Sequence, residues 1–104
     1  MLGYTDLPDD PNEPGHEECT IVDPLSGHRV LFVETGDAKV TKNRVHFDLA
    51  PTDRTRDEEI QRVIGLGATE VADRRNSDGT GWMVVADPEG NEFCILRSEA
   101  ERAQ

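Results

Sequence analysis

The sequence is short of cysteine and of long apolar runs, and both shortages exclude classes of protein. Cys19 and Cys94 are the only cysteines, too few for a disulfide framework, so we expect both to be reduced thiols in a cytoplasmic protein. No apolar stretch approaches the roughly 18 residues of a membrane span. Residues 1–10 have no basic segment followed by an apolar one, so the sequence predicts no signal peptide.

Positive charge is scarce as well. Acidic residues outnumber basic ones by 22 to 11, and Lys39 and Lys42 are the only lysines. A formal net charge of −11 repels phosphate backbones and anionic lipid surfaces, so we expect neither nucleic acid nor a membrane as a partner. The 104 residues, 35% of them apolar, are enough for one domain with a modest core.

The clearest strand pattern lies at 43–49, where apolar and polar residues alternate. Alternation puts successive side chains on opposite faces of a strand, so one face is expected to pack against the protein and the other to line a cavity or meet solvent. The apolar members are Val45, Phe47 and Leu49. The polar members are Arg44, His46 and Asp48.

A helix is predicted directly after this strand. Thr55 and Glu58 are spaced as a capping box, Ile60 and Val63 lie on one apolar stripe, and Gly67 fits the stop. We expect this helix, at 55–66, to cover Val45, Phe47 and Ile95.

The remaining pattern predicts short strands joined by turns and polar loops. Turns are expected at Asp23-Pro24 and at Asp87–Gly90, where Pro and Gly occupy the second and fourth positions of a type I turn. Polar loops are expected at 8–17 and 74–81. The predicted strands lie at 2–7, 19–22, 29–34, 69–72, 82–86 and 91–96.

The chain also contains an internal repeat. Residues 66–71 resemble 2–7 in pattern, the turn at 86–90 resembles the one that begins at 22–24, and 93–96 resemble 30–33. The first copy begins at the point equivalent to Gly65, so we expect it to lack the strand and the helix that open the second copy.

Three stretches, 42–49, 66–68 and 81–93, resemble the glyoxalase-like branch of the vicinal oxygen chelate superfamily. The resemblance implies an α+β fold of tandem βαβββ modules in a curved mixed sheet, the first module lacking its initial strand and helix. It implies a glyoxalase-like domain at 1–97, with a partial first module at 1–35 and a complete second module at 43–97. Residues 98–104 are predicted to be a polar tail, with a helical turn as an alternative.

The resemblance also implies a cleft lined by both modules, in which metal-dependent members place ligands on the first and last strands of each module. His46 stands at one ligand position and is the metal-ligand candidate. Cys94 stands where metal-dependent members have a glutamate, and Leu31, its mate in the first copy, cannot bind a metal. The fourth position falls on the absent strand. The full family metal site is therefore not expected, although Cys94 and His46 together suit a soft metal.

We predict a ligand pocket on the polar face of the 43–49 strand. Arg44 and Asp48 are expected to bind a polar ligand group or to form a surface ion pair, and Asp48 can instead orient the imidazole. Glu92 and Glu34 are nearby carboxylates that a shift of register could bring inward. By alternation Glu92 shares a face with Cys94 at the start of its strand, and Glu34 lies on the face opposite to that of Leu31. The predicted pocket residues are Arg44, His46, Asp48, Trp82 and Cys94.

Three functions stay open on this basis. The favoured one is a small-molecule-binding protein without a metal. The second is a metal-dependent lyase, isomerase or dioxygenase using zinc, nickel, manganese or iron, with its site completed across a dimer. The third is a structural or regulatory dimer. A homodimer is expected because the absent strand would leave an open sheet edge and an apolar face that includes Val30 and Phe32.

Overall fold

The computed structural model describes residues 2–7 and 18–103. The loop predicted at 8–17 and the last residue of the predicted tail lie outside the described residues. The chain divides into two compact units, Met1–Ala38 (unit 1) and Lys39–Gln104 (unit 2). Within the described residues, no helix is both long and apolar enough to cross a membrane.

Unit 1 contains an antiparallel sheet of three strands in the order β1-β2-β3. The turn between β2 and β3 begins at Asp23, whose carboxylate accepts hydrogen bonds from the backbone N–H of Leu25 and the hydroxyl of Ser26. These bonds explain why an Asp-Pro pair starts a tight turn here. The strands are β1 (Thr5–Asp6), β2 (Glu18–Val22) and β3 (Arg29–Val33).

Unit 2 is a βαβββ arrangement with a short helix after it. Its sheet has the order β4-β7-β6-β5, in which β4 runs parallel to β7 and the other neighbours are antiparallel. The predicted α+β class is confirmed. The elements are β4 (Asp48–Leu49), α1 (Arg56–Gly65), β5 (Thr69–Arg75), β6 (Gly81–Ala86), β7 (Glu92–Ile95) and α2 (Glu99–Arg102).

The predicted helix begins and ends where its capping residues indicate. The hydroxyl of Thr55 accepts from the backbone N–H of Glu58, and the carboxylate of Glu58 accepts from the backbone N–H of Thr55, so the capping box is confirmed. At the other end Gly67 has a φ of +114° and donates to the carbonyl of Ile64. A side chain at Gly67 would be strained in that conformation, which suits glycine there.

The core of unit 2 lies between α1 and one face of its sheet. Met83 of β6 pairs with Ile95 of β7, and both are completely buried together with Val85 and Ile60. Burial of each such side chain stabilises the fold by about 1.5–3 kcal/mol. The opposite face of the same strands is therefore the one available for a ligand.

The strand predicted at 43–49 is much shorter in the structure. The backbone bends at Arg44 and Val45, and only residues 48 and 49 form a strand. The helix covers Ile95 as predicted, but Val45 is 86% exposed and Phe47 53% exposed, so the prediction that it covers them is wrong. The alternating pattern identified the two faces, but it could not show that this segment pairs with β7 only near its end.

Two other predicted segments, a loop and the polar tail, also differ from the structure. The loop predicted at 74–81 is confined to 76–80, because β5 continues through Arg75 and β6 starts at Gly81. Asn76 donates to the carbonyl of Thr80 and closes this hairpin. The polar tail contains the helical turn α2, which starts from a second capping box between Ser98 and Glu101.

Candidate functional site

A pocket of about 360 Å³ lies in unit 2, on the sheet face opposite α1. We call it the sheet pocket. Because side chains alternate along each strand, the residues on this face are the neighbours in sequence of the buried core residues. The residues that line it are Lys42, Asn43, His46, Asp48, Ala72, Arg74, Trp82, Val84, Glu92, Cys94 and Leu96.

The strand register places the pocket floor in one row across the sheet. Asp48 of β4 stands opposite Cys94 of β7, Cys94 opposite Val84 of β6, and Val84 opposite Ala72 of β5. The polar members of the row lie at the β4 edge and the apolar members towards β5. The pocket therefore has a polar end and an apolar end.

Three potential donor atoms meet at the polar end. The Nε2 of His46 lies 3.2 Å from Oδ1 of Asp48. One ring nitrogen of His46, one carboxylate oxygen of Asp48 and the Sγ of Cys94 all lie within 4.8 Å of one another. We call these three residues the donor cluster. Cys94 is buried, whereas the side chains of His46 and Asp48 are half-exposed and can adjust their positions.

The environment of Cys94 keeps its thiol protonated when no cation is bound. Burial raises the pKa of the Cys94 thiol, and the negative charge of Asp48 raises this pKa further. A thiol of this kind is a poor nucleophile, because the thiolate is the reactive form. Cys94 is accordingly not suited to act as a catalytic nucleophile by itself.

Glu92 serves as an anchor for the segment before β4. Its carboxylate accepts a hydrogen bond of 2.9 Å from the backbone N–H of Asn43 and forms an ion pair of 3.1 Å with Lys42. The Asn43 bond first, and then the contact with Lys42, lower the pKa of Glu92 to about 2. Glu92 thus lines the pocket as a fixed negative charge, while Glu34 is an exposed residue of unit 1, beyond β3.

The structure brings together four of the five residues predicted for the pocket: His46, Asp48, Trp82 and Cys94. Arg44, the fifth, lies at the backbone bend and is not among the lining residues. Sequence reasoning missed Arg74, which stands opposite Trp82 in the β5–β6 pair. An antiparallel hairpin closed at 76–80 implies this pairing, whereas the sequence pattern predicts a polar loop that begins at Arg74.

The donor cluster fits a divalent cation better than the sequence indicated. The sequence indicates His46 as the metal candidate, with Cys94 as a partner for a soft metal, and predicts that Asp48 binds a polar ligand group, forms a surface ion pair or orients the imidazole. Imidazole, carboxylate and thiolate are all zinc ligands, and three protein ligands with one open position form a common zinc arrangement. Leu31, the first-copy mate of Cys94, has a side chain without a donor atom.

Comparison with known proteins agrees with the resemblance described above. The model of a family described as a glyoxalase-like domain matches residues 1–96, which cover unit 1 and all four strands of the unit 2 sheet. A search of the curated proteins found no match.

Proposed function

The chain belongs to the glyoxalase-like domain family, and from that premise we propose that it is a small-molecule-binding protein whose ligand occupies the sheet pocket. The observation that carries this proposal is the division of the pocket into an apolar and a polar end. Small-molecule sites are typically concave and mostly apolar, with a few polar groups that orient the ligand.

The apolar end favours a flat ligand. Trp82 is 43% exposed at the pocket, and Val84 and Leu96 lie beside it in the lining. An aromatic ring stacks favourably on an indole, and removal of both surfaces from water adds to the stabilisation. We therefore propose an aromatic or otherwise planar ligand body.

The polar groups that line the pocket favour an oxygen-bearing group on that ligand. Arg74 lines the pocket on β5, where it pairs with Trp82, and towards β4 Asn43 and His46 provide further groups that can donate hydrogen bonds. Arginine binds carboxylates through charge-assisted hydrogen bonds, which are stronger than neutral ones. Aromatic carboxylates and phenols are thus the ligand classes that match both ends of the pocket.

The test uses Trp82 as its own reporter, because it is the only tryptophan of the chain. We expect the fluorescence of Trp82 to change saturably when the protein is titrated with members of a panel of aromatic carboxylates and phenols. Val84→Phe should block the pocket floor and abolish the change. Val71→Phe is the matched control, because Val71 is exposed on β5 and does not line the pocket.

Two outcomes would contradict the proposal. One is the absence of a saturable response to any member of the panel, checked by calorimetry. The other is an equal loss of binding in both phenylalanine variants while circular dichroism shows that both are folded. Binding that is lost only in Val84→Phe supports the sheet pocket as the site.

We also propose that the protein forms a homodimer through the apolar residues exposed in unit 2. Val45 and Phe47 are large, exposed apolar side chains near the β4 edge, and exposed apolar patches often mark protein contacts.

The mass of the protein in solution tests the dimer. Size-exclusion chromatography with light scattering should give twice the chain mass. Phe47→Asp should reduce it to one chain, whereas Leu25→Asp, at a 95% exposed position in a turn of unit 1, should leave it unchanged. A monomeric parent protein at micromolar concentration would rule out the dimer.

A further inference from the structure

We propose that the donor cluster of His46, Asp48 and Cys94 binds one borderline-soft divalent cation of the zinc class, with all three ligands supplied by unit 2. This inference goes beyond the binding of a small molecule, because the cation needs none of the apolar end of the pocket. It also departs from the four-position arrangement that the family resemblance implied, since Asp48 occupies none of those positions.

The distances within the donor cluster suit a small tetrahedral site. Bond lengths of about 2.0–2.3 Å to zinc give separations of about 3.3–3.6 Å between neighbouring ligand atoms. The separation of His46 Nε2 from Asp48 Oδ1 is 3.2 Å. The widest separation in the cluster is at most 4.8 Å, and the half-exposed side chains of His46 and Asp48 can rotate to shorten it.

The backbone holds two of the ligands face to face. Asp48 and Cys94 are directly opposite in the parallel β4–β7 pair. The backbone N–H of Cys94 donates to the carbonyl of Phe47 at 2.9 Å, and that of Leu96 donates to the carbonyl of Leu49 at 2.8 Å. These two bonds bracket the Asp48–Cys94 pair, so its geometry does not depend on any exposed loop.

The chemistry of the donors selects the cation. A thiolate prefers zinc or cobalt(II) to magnesium, calcium or manganese, and imidazole shares this preference over the hard cations. Binding of Zn²⁺ would release the thiol proton of Cys94 to solvent, so that thiolate and carboxylate together balance the charge of the ion. A bound cation would lie in the lining of the sheet pocket, to which all three donor residues belong.

The experiment uses the full chain after treatment with chelator, titrated with Co²⁺ as a spectroscopic probe and with Zn²⁺ in calorimetry. We expect one ion per chain and a near-ultraviolet thiolate-to-cobalt charge-transfer band. Cys94→Ser should abolish the band, and Cys19→Ser, which removes the other thiol, should preserve it. Zn²⁺ should displace Co²⁺, and millimolar Mg²⁺ should not.

The exposed ligands provide variants that do not disturb the core. Loss of a direct ligand should weaken binding more than the roughly 10–100-fold typical of an outer-shell change, so His46→Ala and Asp48→Asn should each weaken Co²⁺ binding at least that much. His28→Ala and Asp53→Asn are the matched controls, because both residues are exposed and outside the donor cluster. Both controls should bind as the parent protein does.

The proposal is overturned if saturating Co²⁺ gives no charge-transfer band, if the band survives in Cys94→Ser, or if a control variant loses as much affinity as the ligand variants. To keep these results separate from the small-molecule proposal, the titrations with aromatic carboxylates and phenols are repeated on chelator-treated protein. A cation without ligand binding, or ligand binding without a cation, would therefore identify which of the two proposals fails.

Discussion

The β2–β3 hairpin of unit 1 and the β6–β7 hairpin of unit 2 have the same backbone plan and very different surfaces. Each begins its turn with an Asp-Pro pair, and in each the Asp carboxylate accepts from the backbone N–H two residues later at 3.0 Å. The strands also pair in equivalent registers: Val22 stands opposite Arg29, and Ala86 stands opposite Glu92. These pairings correspond to the alignment of the two copies in the internal repeat.

The side chains on this shared plan differ in what they can bind. The common register places Leu31 of unit 1 at the position of Cys94 in unit 2, and Thr20 at the position of Val84. Only unit 2 has a described strand, β4, that runs parallel beside its last strand and brings Asp48 to Cys94. A repeated backbone therefore does not repeat a site, because the site needs the neighbouring strand and the donor atoms together.

The largest expected difference between the two hairpins is in how much their side chains contribute to the free energy of unfolding. Ile95 is completely buried, whereas Phe32, at the equivalent position, is 41% exposed. We expect Ile95→Ala to lower the free energy of unfolding by about 2–5 kcal/mol, because it leaves a cavity against α1. Phe32→Ala should cost clearly less. Urea denaturation followed by circular dichroism measures both, and equal losses would contradict the assignment of the core to unit 2.

A smaller loss of stability is expected when the N-terminal cap of α1 is removed. Among the described residues, unit 1 has no helix and so has no equivalent of this cap. Thr55→Ala removes the hydroxyl that accepts from Glu58, and the loss of such a cap lowers the free energy of unfolding by about 1 kcal/mol. Thr52→Ala changes an exposed threonine just before the helix and serves as the control. Thermal unfolding of the two variants should differ, and an unchanged midpoint for Thr55→Ala would show that the capping box does not stabilise α1.

The smallest effect concerns Glu92, whose equivalent in unit 1 is Arg29. The folded-state pKa of Glu92 is about 2, below the ordinary value of 4.5, because of the Asn43 hydrogen bond and the Lys42 ion pair. The folded protein therefore gains stability from Glu92 above pH 4.5 and loses it progressively as the pH falls towards 2. Glu92→Gln should flatten this part of the acid-unfolding curve.

The exposed Glu89, in the turn before β7, is the control for that measurement. Glu89→Gln should leave the acid-unfolding curve close to that of the parent protein. If both variants change the curve equally, the contacts of Glu92 with Lys42 and Asn43 are not the cause of the low pKa of Glu92. Comparison at several salt concentrations would separate the ion pair with Lys42, which salt screens, from the hydrogen bond of Asn43.

Patterns in the sequence predicted the structure correctly where it depends on residues only a few positions apart. The capping box at Thr55, the stop at Gly67 and the turn at Asp87 depend on neighbouring backbone groups, so their residue types are informative. Longer-range features were less predictable. The exposure of Phe47 and the pairing of Arg74 with Trp82 depend on which strands meet and where they separate.

Local patterns in the chain were enough to predict the class of fold, to show the family resemblance and to name four residues that line the sheet pocket, because alternation along a strand and cap spacing are local properties of the chain. The position of Asp48 opposite Cys94 is visible only in the folded structure, because β4 and β7 are separated in sequence by a helix and two strands and neither segment specifies their register. Because of this register, Asp48 joins His46 and Cys94, the pair that the sequence suggested for a soft metal, in a cluster of three donor residues.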